Sequence, residues 1–358
     1  MITLSNEQTD AYNAINDFIK SDEQTFILHG LAGTGKTSII SIIANEQARL
    51  NNNTELCAFT GKAASVLAVK ASFDARTIHS LFYRLVEQDV ANNGKPILVF
   101  QRVFAPGSLK GTLILVDESS MVSDIIGKDL ESSGAKIIAC GDPGQLQPVN
   151  GVQYFQKSDY MLTEIHRQAL ESPIIRQAHF VRNTGKYYSD GENFKVVSSI
   201  TADDLLEADT ILCWMNKTRV DCNSVVRHLR GFNADYPQAG ESIMCLKNSR
   251  KFGIYNGAVY TLTRDFRPKD KNVHLDIDGV ELSVPNCVFV KPGETISNYA
   301  NKDITSAFDF GYAMTVHKSQ GSEWKKVLLM DEYSYGDERR QWLYTGITRA
   351  SESILIKR

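Results

Sequence analysis

The sequence predicts an α/β protein whose parallel sheets are covered by helices. Short apolar runs recur along its 358 residues, and each is followed by a turn or a polar cluster. The first run, Thr25–His29, leads through a glycine-rich turn into a helical segment from Lys36 to Ala48, which is the opening of an α/β unit. Because a chain of this length exceeds one average domain, we expect two or more domains.

The regular elements follow in order. Residues 6–20 have the periodicity of an amphipathic helix. After Thr25–His29, buried parallel strands are predicted at six further apolar runs: Glu55–Phe59, Thr112–Val116, Lys136–Cys140, Thr210–Trp214, Lys326–Met330 and Ser353–Ile356. Their alternation with helical segments predicts parallel sheets covered by helices.

Two segments break this alternation. Residues 84–108 hold Asn92-Asn93-Gly94 between the apolar runs Leu85-Val86 and Ile97–Phe100, which predicts a small inserted hairpin. Residues 254–300 hold several short β-rich runs with a tight turn at Asp278-Gly279, which predicts a small barrel-like β module.

Composition excludes some classes of protein. The hydrophobic fraction is 42% and the formal net charge −3, so the chain can bury a core but cannot coat nucleic acid by bulk positive charge. The basic stretch from 247 to 271 fits either a local channel or a solvated face. No apolar run approaches the roughly 18 residues of a membrane span, and the first ten residues lack a signal-peptide layout, so we expect a cytoplasmic protein.

The cysteines show no pattern that indicates a metal or a disulfide framework. The six cysteines are scattered, without any Cys-x-x-Cys pair. We therefore expect reduced thiols with a structural role.

A phosphate-binding loop is the clearest chemical signal. Residues 30–37, GLAGTGKT, match G-x-x-x-x-G-K-[ST] between a predicted strand and a predicted helix. Backbone N–H groups and the helix N-terminus can close around phosphates, while the lysine reaches the β and γ oxygens. The residues expected to bind nucleotide here are Gly30, Gly33, Thr34, Gly35, Lys36 and Thr37.

Two acids and a glutamine complete the predicted phosphate chemistry. The apolar run before Asp117 and Glu118 ends as the acidic strand of a P-loop site does, so Thr37 and Asp117 are expected to hold Mg²⁺. Glu118 is expected to orient and deprotonate the attacking water. In Gly141–Val149, Gln145 falls at the same predicted sheet edge and can sense the γ-phosphate.

The order of motifs resembles the superfamily 1 DNA helicases, in particular the RecD and Dda type that moves from 5′ toward 3′. The segments that carry this resemblance are Thr60–Ala64, Thr77–His79, Asp117–Met121, Gly141–Val149, Leu162–Gln168, Met215–Thr218, Thr315–Glu323 and Tyr344–Ala350. They cover nearly the whole chain, so the resemblance is global and highly specific.

The resemblance implies a domain layout. Two RecA-like domains are expected, the first from residues 1–83 and 109–170 and the second from 171–253 and 301–358. The hairpin at 84–108 corresponds to a duplex-splitting pin, and the module at 254–300 to a small SH3-like insertion. This organisation is close to a minimal motor.

The resemblance also implies roles for residues of the second half of the chain and partners for the whole. Arg167 and Arg349 correspond to arginine fingers on the γ-phosphate, and Gly321 and Glu323 to nucleotide-binding positions. ATP and Mg²⁺ are the implied cofactors. Single-stranded DNA and strand junctions are the implied ligands, and replication proteins such as single-strand-binding proteins are implied partners of a monomeric enzyme.

Gln8 has two competing interpretations. In the family a glutamine at this distance before the P-loop reads the adenine edge. However, Ser5 to Gln8 also forms a capping-box pattern at the start of a predicted helix.

The single strand is expected to contact polar and basic residues in loops that follow the predicted strands. Backbone-directed binding needs such groups rather than readers of base edges. The resemblance implies contacts from Thr60, Lys62, His79, Asn216, Thr315, His317 and Lys318. In the hairpin, Phe100 and Phe104 are candidates for a stacking wedge or, equally, for a small local core.

We therefore expect an ATP-dependent helicase that separates duplex DNA in replication, recombination or repair. One alternative is an ATPase and translocase that unwinds only inside a larger complex. The sequence lacks the Asn-Lys-x-Asp motif of guanine readers, which argues against a GTPase-like switch. A non-catalytic nucleic-acid-binding module is disfavoured by the intact set of Lys36, Asp117 and Glu118.

Overall fold

The chain divides into two units, Met1–Ser172 and Pro173–Arg358. The computed structural model describes residues 4–88, 97–148, 152–165, 171–247, 249, 252, 254–277, 279–291, 304–333, 336 and 338–358. Each unit is built on a parallel β-sheet, as expected for an α/β protein of two RecA-like domains.

Unit 1 has a six-stranded parallel sheet. Its strands are β1 Thr25–Gly30, β2 Thr54–Ala58, β3 Ala75–Thr77, β6 Leu113–Asp117, β7 Lys136–Gly141 and β8 Tyr160–Leu162. They lie in the order β3-β2-β6-β7-β1-β8, so the loops after β1, β6 and β7 share one edge. The helices of this unit are α1 Asn6–Lys20, α2 Lys36–Arg49, α3 Gly61–Ala71, α4 Ile78–Phe82 and α5 Asp124–Ser132.

Both faces of this sheet are buried. On β6, Leu113 and Leu115 belong to one apolar cluster, whereas Ile114 and Val116 belong to another. Successive side chains of a strand point to opposite faces, so a strand covered on both sides has a continuous apolar run. The sequence of β6 therefore follows from its central position.

The hairpin strands are β4 Tyr83–Gln88 and β5 Ile97–Arg102, paired antiparallel with Leu85 opposite Phe100. The side chain of Phe100 lies outside the described residues. At the base of the hairpin, Arg102 forms an ion pair with Asp129 of α5 at 3.0 Å. Phe104 packs edge-on against the buried Phe82, with the ring centroids 5.8 Å apart, which favours its interpretation as core.

Unit 2 has a five-stranded parallel sheet in the order β17-β10-β18-β19-β9. Its strands are β9 Phe194–Val197, β10 Thr210–Cys213, β17 Ala313–Thr315, β18 Trp324–Met330 and β19 Ala350–Lys357. Its helices are α6 Pro173–Thr184, α7 Ala202–Glu207, α8 Asn216–Leu229 and α9 Arg339–Ile347. The buried Trp342 and Tyr344 of α9 are among the largest side chains of the core.

The second insertion is a six-stranded sheet that is wider than the expected range of 254–300. Its strands are β11 Ser242–Cys245, β12 Val259–Leu262, β13 Val273–Ile277, β14 Val280–Val284, β15 Cys287–Phe289 and β16 Ser306–Phe310. Its strand order is β14-β13-β12-β11-β16-β15. Because β11 and β16 pair with each other at its centre, the module begins at Ser242 and ends at Phe310.

A buried ion pair links α8 to Glu241, the residue that directly precedes this module. The carboxylate of Glu241 is fully buried and accepts hydrogen bonds from Arg227 at 2.6 and 3.0 Å and from the backbone N–H of Gln238 at 2.8 Å. The guanidinium of Arg227 also lies over the ring of Phe310. A buried charge is stable in a protein only when it is paired and hydrogen-bonded in this way.

All six cysteines are buried and in the free thiol form. Among the described residues, no helix combines the length and the apolar character that crossing a bilayer requires.

Candidate nucleotide and nucleic-acid site

The expected phosphate-binding residues of unit 1 meet at the carboxyl edge of its sheet. The P-loop follows β1, Asp117 ends β6, and Gln145 follows β7. The register pairs His29 with Gly141 and Ala58 with Asp117, so these loops start at similar heights. Ligands of open α/β sheets bind at this edge.

The P-loop backbone forms a cradle that only small residues permit. Gly33 and Gly35 have φ values of 82° and 81°, in the left-handed region that favours glycine. A Cβ on Gly30 would lie 2.6 Å from Thr34 Oγ1, which is closer than real Cβ atoms approach. The loop can therefore direct backbone N–H groups toward a phosphate.

Lys36 is folded back on this loop. Its Nζ donates to the carbonyl oxygens of Gly30 at 2.6 Å and Leu31 at 3.1 Å. Lys36 is also the first residue of α2, where the helix N-terminus adds partial positive charge. The cation thus lies within the loop that is expected to hold the β and γ phosphates.

Thr37 and Asp117 lie together across this loop. Thr37 Oγ1 donates to Asp117 Oδ2 at 3.3 Å, and Asp117 Oδ1 accepts from the backbone N–H of Glu118 at 2.9 Å. Burial raises the pKa of Asp117, while the Glu118 N–H, the Lys36 charge and Thr37 oppose that shift. A hydroxyl and a carboxylate side by side are oxygen ligands of the kind that Mg²⁺ prefers.

Glu118 has a left-handed backbone, with φ 54° and ψ 41°, and begins a short 3₁₀ turn over Ser119–Met121. Non-glycine residues in this conformation cost about 1–3 kcal/mol and cluster at functional sites. This observation supports a chemical role for Glu118.

Gln145 presents a buried acceptor at the same edge. Its Oε1 is one of the buried side-chain atoms without a hydrogen-bond partner among the described residues, and Ser119 and Ser120 contribute two others. Gln145 is 6% exposed. An orphaned buried polar atom costs free energy. Together with the cradle at Gly30, it fits a site that binds a phosphate and a water.

Gln8 forms the capping box and also contacts the P-loop. Its Oε1 accepts from the backbone N–H of Ser5 at 3.0 Å, and its Nε2 donates to the Thr34 carbonyl oxygen at 3.0 Å. The structure therefore holds the capping arrangement in full, and it places the carboxamide beside the P-loop. The adenine role remains a prediction.

Residues Glu7 and Thr163 form a connection that the sequence did not reveal. The carboxylate of Glu7 accepts from the backbone N–H and the hydroxyl of Thr163 at 2.9 and 2.8 Å, and from the N–H of Glu164 at 2.7 Å. This anchors the segment that leads to Arg167. Arg167 itself lies outside the described residues. An acidic residue in the first turn of a helix gives no sequence signal for such a distant partner.

Arg349 is 6% exposed and its guanidinium is held inside unit 2. It donates to the carbonyl oxygens of Thr345 at 3.0 Å and Ser322 at 3.1 Å, and to Thr348 Oγ1 at 3.1 Å. Ser322 lies between Gly321, which has a φ of 72°, and the exposed Glu323. The structure thus brings these three predicted positions together.

The expected strand-binding residues of unit 1 lie at the start of helices. Thr60 caps α3 by accepting from the backbone N–H of Ala63 at 3.1 Å, and Lys62 is partly exposed in the first turn. His79 of α4 lies between Phe59 and Tyr83, with ring centroids 5.8 and 5.4 Å away. Thr60 thus caps a helix in this structure, and its contact with the strand stays a prediction.

The expected strand-binding residues of unit 2 follow β10 and β17. Asn216 opens α8 and is exposed, whereas Thr315 ends β17 and is 9% exposed. Burial lowers the pKa of His317. Burial also lowers the pKa of Lys318, and the nearby Arg219 adds to that shift. Since β10 and β17 are adjacent and parallel, these residues share one carboxyl edge.

Two family models match the sequence. One, described as an AAA domain, matches residues 3–198. The other, described as a UvrD-like helicase C-terminal domain, matches residues 310–356.

Curated relatives include helicases from a bacterium and a phage. The ATP-dependent RecD2 DNA helicase of Deinococcus radiodurans is 27% identical over 98% of this chain and 48% of its own. The ATP-dependent DNA helicase dda of phage T4 is 27% identical over 63% of this chain and 56% of its own. The chain therefore spans about half the length of these two relatives.

Solved structures with a similar fold include Bacteroides Pif1 bound to single-stranded DNA. It superposes with a TM-score of 0.64 at 20% identity and covers 100% of this chain and 93% of its own. A complex of Bacteroides Pif1 with ADP-AlF3 and single-stranded DNA gives a TM-score of 0.61 at 21% identity, covering 99% of this chain and 92% of its own. These matches show the fold.

Proposed function

Because the chain belongs to the AAA domain family and is of the RecD and Dda type of superfamily 1, we propose that it is an ATP-dependent DNA helicase. It moves on single-stranded DNA from 5′ toward 3′ and separates duplex ahead of it. The observation that carries this proposal is the set of Lys36, Thr37, Asp117, Glu118 and Gln145 at one sheet edge of unit 1.

Each residue of this set has a chemical task. Lys36 leaves the carbonyl oxygens of Gly30 and Leu31 to neutralise the β and γ phosphates. Mg²⁺ held by Thr37 and Asp117 supplies charge neutralisation on the phosphate oxygens. Glu118 takes the proton of the attacking water.

The two arginines are proposed to stabilise the transferred phosphoryl group. Arg349 is supported by its fixed guanidinium, since a group already oriented by Thr345 and Ser322 loses little entropy on binding. Arg167 takes the second position on the resemblance alone. Gly321 and Glu323 belong to the same proposed nucleotide site.

In each unit, the carboxyl edge of the parallel sheet is proposed to contact the single strand. Thr60, Lys62 and His79 serve unit 1, and Asn216, Thr315, His317 and Lys318 serve unit 2. The hairpin with Phe100 is proposed as the element that splits the duplex. Monomeric action and contact with replication proteins belong to the same proposal. A place in the cytoplasm of a bacterial or phage-infected cell is also proposed, and the relatives from a bacterium and a phage support it.

The proposal is tested with two duplexes that differ only in carrying a 5′ or a 3′ single-stranded tail. We expect ATP-dependent opening of the 5′-tailed duplex alone, with no opening by the Lys36→Ala variant. Opening of the 3′-tailed duplex would reverse the proposed polarity. Absence of both opening and DNA-stimulated ATP hydrolysis would refute the proposal.

A translocase that unwinds only inside a larger complex is the second candidate, because the phosphate site of unit 1 would serve it equally well. Such a protein hydrolyses ATP in response to single-stranded DNA but opens neither duplex alone. The same assay therefore separates the two candidates.

A further inference from the structure

An exposed tryptophan stands at the carboxyl edge of the sheet in unit 2. Trp214 directly follows β10, and it is 40% exposed although it is a large aromatic residue. Its ring lies against Tyr333 with the centroids 4.2 Å apart, and Tyr333 lies in turn against the fully buried Trp342 at 5.8 Å. One end of this stack of three rings is therefore fixed in the core, and the other end reaches solvent.

The backbone under the exposed ring is also fixed. The carboxylate of Glu332 accepts from the backbone N–H groups of Trp214 and Met215, each at 2.8 Å, and from Thr218 Oγ1 at 2.5 Å. Glu332 thus caps the start of α8, where no side chain of that helix does so. An aromatic side chain held in this way loses little entropy when a flat ligand stacks on it.

The strand register places Trp214 with the proposed DNA contacts. Cys213 pairs with Thr315, so the residues after β10 and β17 lie side by side. Asn216 is two residues beyond Trp214 in the chain. Trp214 therefore follows the same edge of the sheet as the groups that are proposed to hold the strand.

The same register separates Trp214 from the proposed nucleotide contacts of unit 2. Arg349 directly precedes β19, and Trp324 at the start of β18 pairs with Ala350. Met330, at the carboxyl end of β18, lies six residues beyond Trp324, or roughly 20 Å away at about 3.3 Å per residue. The ring is thus at the opposite edge from Arg349, which favours a base of DNA over the adenine of ATP.

We propose that Trp214 is a stacking platform for a nucleobase of the bound single strand, held in position by Tyr333 and Glu332. This proposal rests on the proposed function. It adds a contact with the base to a set of residues that otherwise contact the strand backbone. Such stacking tolerates any sequence, because every base has a π face.

The test compares Trp214→Ala, Trp214→Phe and wild type for binding to labelled oligothymidylate, measured by fluorescence anisotropy without nucleotide. We expect Trp214→Ala to weaken binding by about fivefold to 150-fold, the range of one lost base–aromatic stack. Trp214→Phe should retain most of the affinity. Tyr188→Ala is the matched control, because Tyr188 is 57% exposed and lies against Phe180, but it precedes β9 at the other edge.

Two further measurements separate stacking from a structural effect. A strand in which abasic residues replace the bases should bind wild type more weakly than oligothymidylate, and this difference should shrink in Trp214→Ala. Oligothymidylate should also quench tryptophan fluorescence in wild type but scarcely in Trp214→Phe. The second readout stands even where Trp214→Ala folds poorly.

The possible failures are distinguishable. If Trp214→Ala binds oligothymidylate as tightly as wild type does, or if quenching in Trp214→Phe equals that in wild type, the stacking role of the ring is overturned. The proposed function is then unaffected. A raised KM for ATP in DNA-free hydrolysis, with DNA affinity unchanged, would assign the ring to adenine instead. Failure of wild type to bind oligothymidylate would overturn the proposed function, and this inference with it.

Discussion

Replacing Gln8 by alanine separates the two roles of that side chain. Gln8 is 3% exposed, and its carboxamide joins the first turn of α1 to the P-loop through the Ser5 N–H and the Thr34 carbonyl. Truncation removes both hydrogen bonds at once. The Thr34 carbonyl then loses this partner in a residue that is 1% exposed.

The magnitude follows from these two contacts. A hydrogen bond contributes about 0.5–1.5 kcal/mol, and a buried acceptor left without a partner costs about 1–3 kcal/mol. We therefore expect the free energy of unfolding to fall by about 2–4 kcal/mol. If Gln8 also reads adenine through two hydrogen bonds, the preference for ATP over other nucleoside triphosphates should fall by about fivefold to 150-fold.

Two assays on the same variant give the answer. Urea unfolding reports the stability, and the ratio of kcat/KM for ATP to that for GTP reports adenine selection. Ser5→Ala is the control, because it removes the hydroxyl that accepts from the Gln8 N–H at 3.4 Å but keeps the carboxamide. It should cost about 1 kcal/mol and leave the nucleotide ratio unchanged.

Each of the two readouts has an outcome that contradicts one of these roles of Gln8. Unchanged stability of Gln8→Ala would mean that the two hydrogen bonds do not contribute as described. An unchanged nucleotide ratio would remove the adenine role and leave Gln8 as a helix cap that supports the P-loop.

Three further predictions concern catalysis, packing and pH. Glu118→Gln should lower kcat for ATP hydrolysis by about 10²- to 10⁴-fold, the usual contribution of a general base, while equilibrium binding of ATP is retained. Arg227→Met leaves the fully buried Glu241 carboxylate without its cation, and denaturant unfolding should show a loss of about 3–5 kcal/mol. Burial lowers the pKa of His29 in the folded protein. Between this lowered pKa and about 6.5, the unfolded chain binds more protons than the folded chain, so the free energy of unfolding should rise with pH by at most about 1.4 kcal/mol per pH unit. His29→Gln, which can still donate to Phe155, should flatten this slope.

Each of these predictions has a contradicting outcome. Rapid turnover by Glu118→Gln would show that another group takes the proton. For the ion pair, the exposed Arg264 that contacts Glu281 is the control, and equal losses in Arg227→Met and Arg264→Met would show that burial is unimportant. An identical pH slope in wild type and His29→Gln would assign the titration elsewhere.

The sequence predicted the α/β class and the phosphate residues because local patterns determine them. The apolar run of β6 requires burial on both faces, and the glycines at 33 and 35 have the left-handed backbone of a P-loop. Such features depend on neighbours in the chain. The alternation of short strands and helices similarly predicted parallel sheets covered by helices.

Contacts between distant residues could not be predicted in this way. The hydrogen bonds by which Glu332 caps the start of α8 join residues more than a hundred positions apart in the chain. Glu7 contacts Thr163 over a separation that is also more than a hundred positions. The extent of the β module was missed for the same reason, since β11 and β16 are recognisable as its centre only through their mutual pairing. The hydrogen bond from Arg349 to the carbonyl oxygen of Ser322, on another segment of the chain, has no local signal either.

The left-handed backbone of Glu118 implies that selection for folding alone would choose a different residue. Asparagine tolerates this conformation better, and glycine adopts it freely. Glu118→Asn should therefore raise the melting temperature while hydrolysis is lost. The active protein would then be less stable than an inactive variant that differs from it only at position 118. Screening for heat resistance would therefore tend to select variants that have lost ATP hydrolysis.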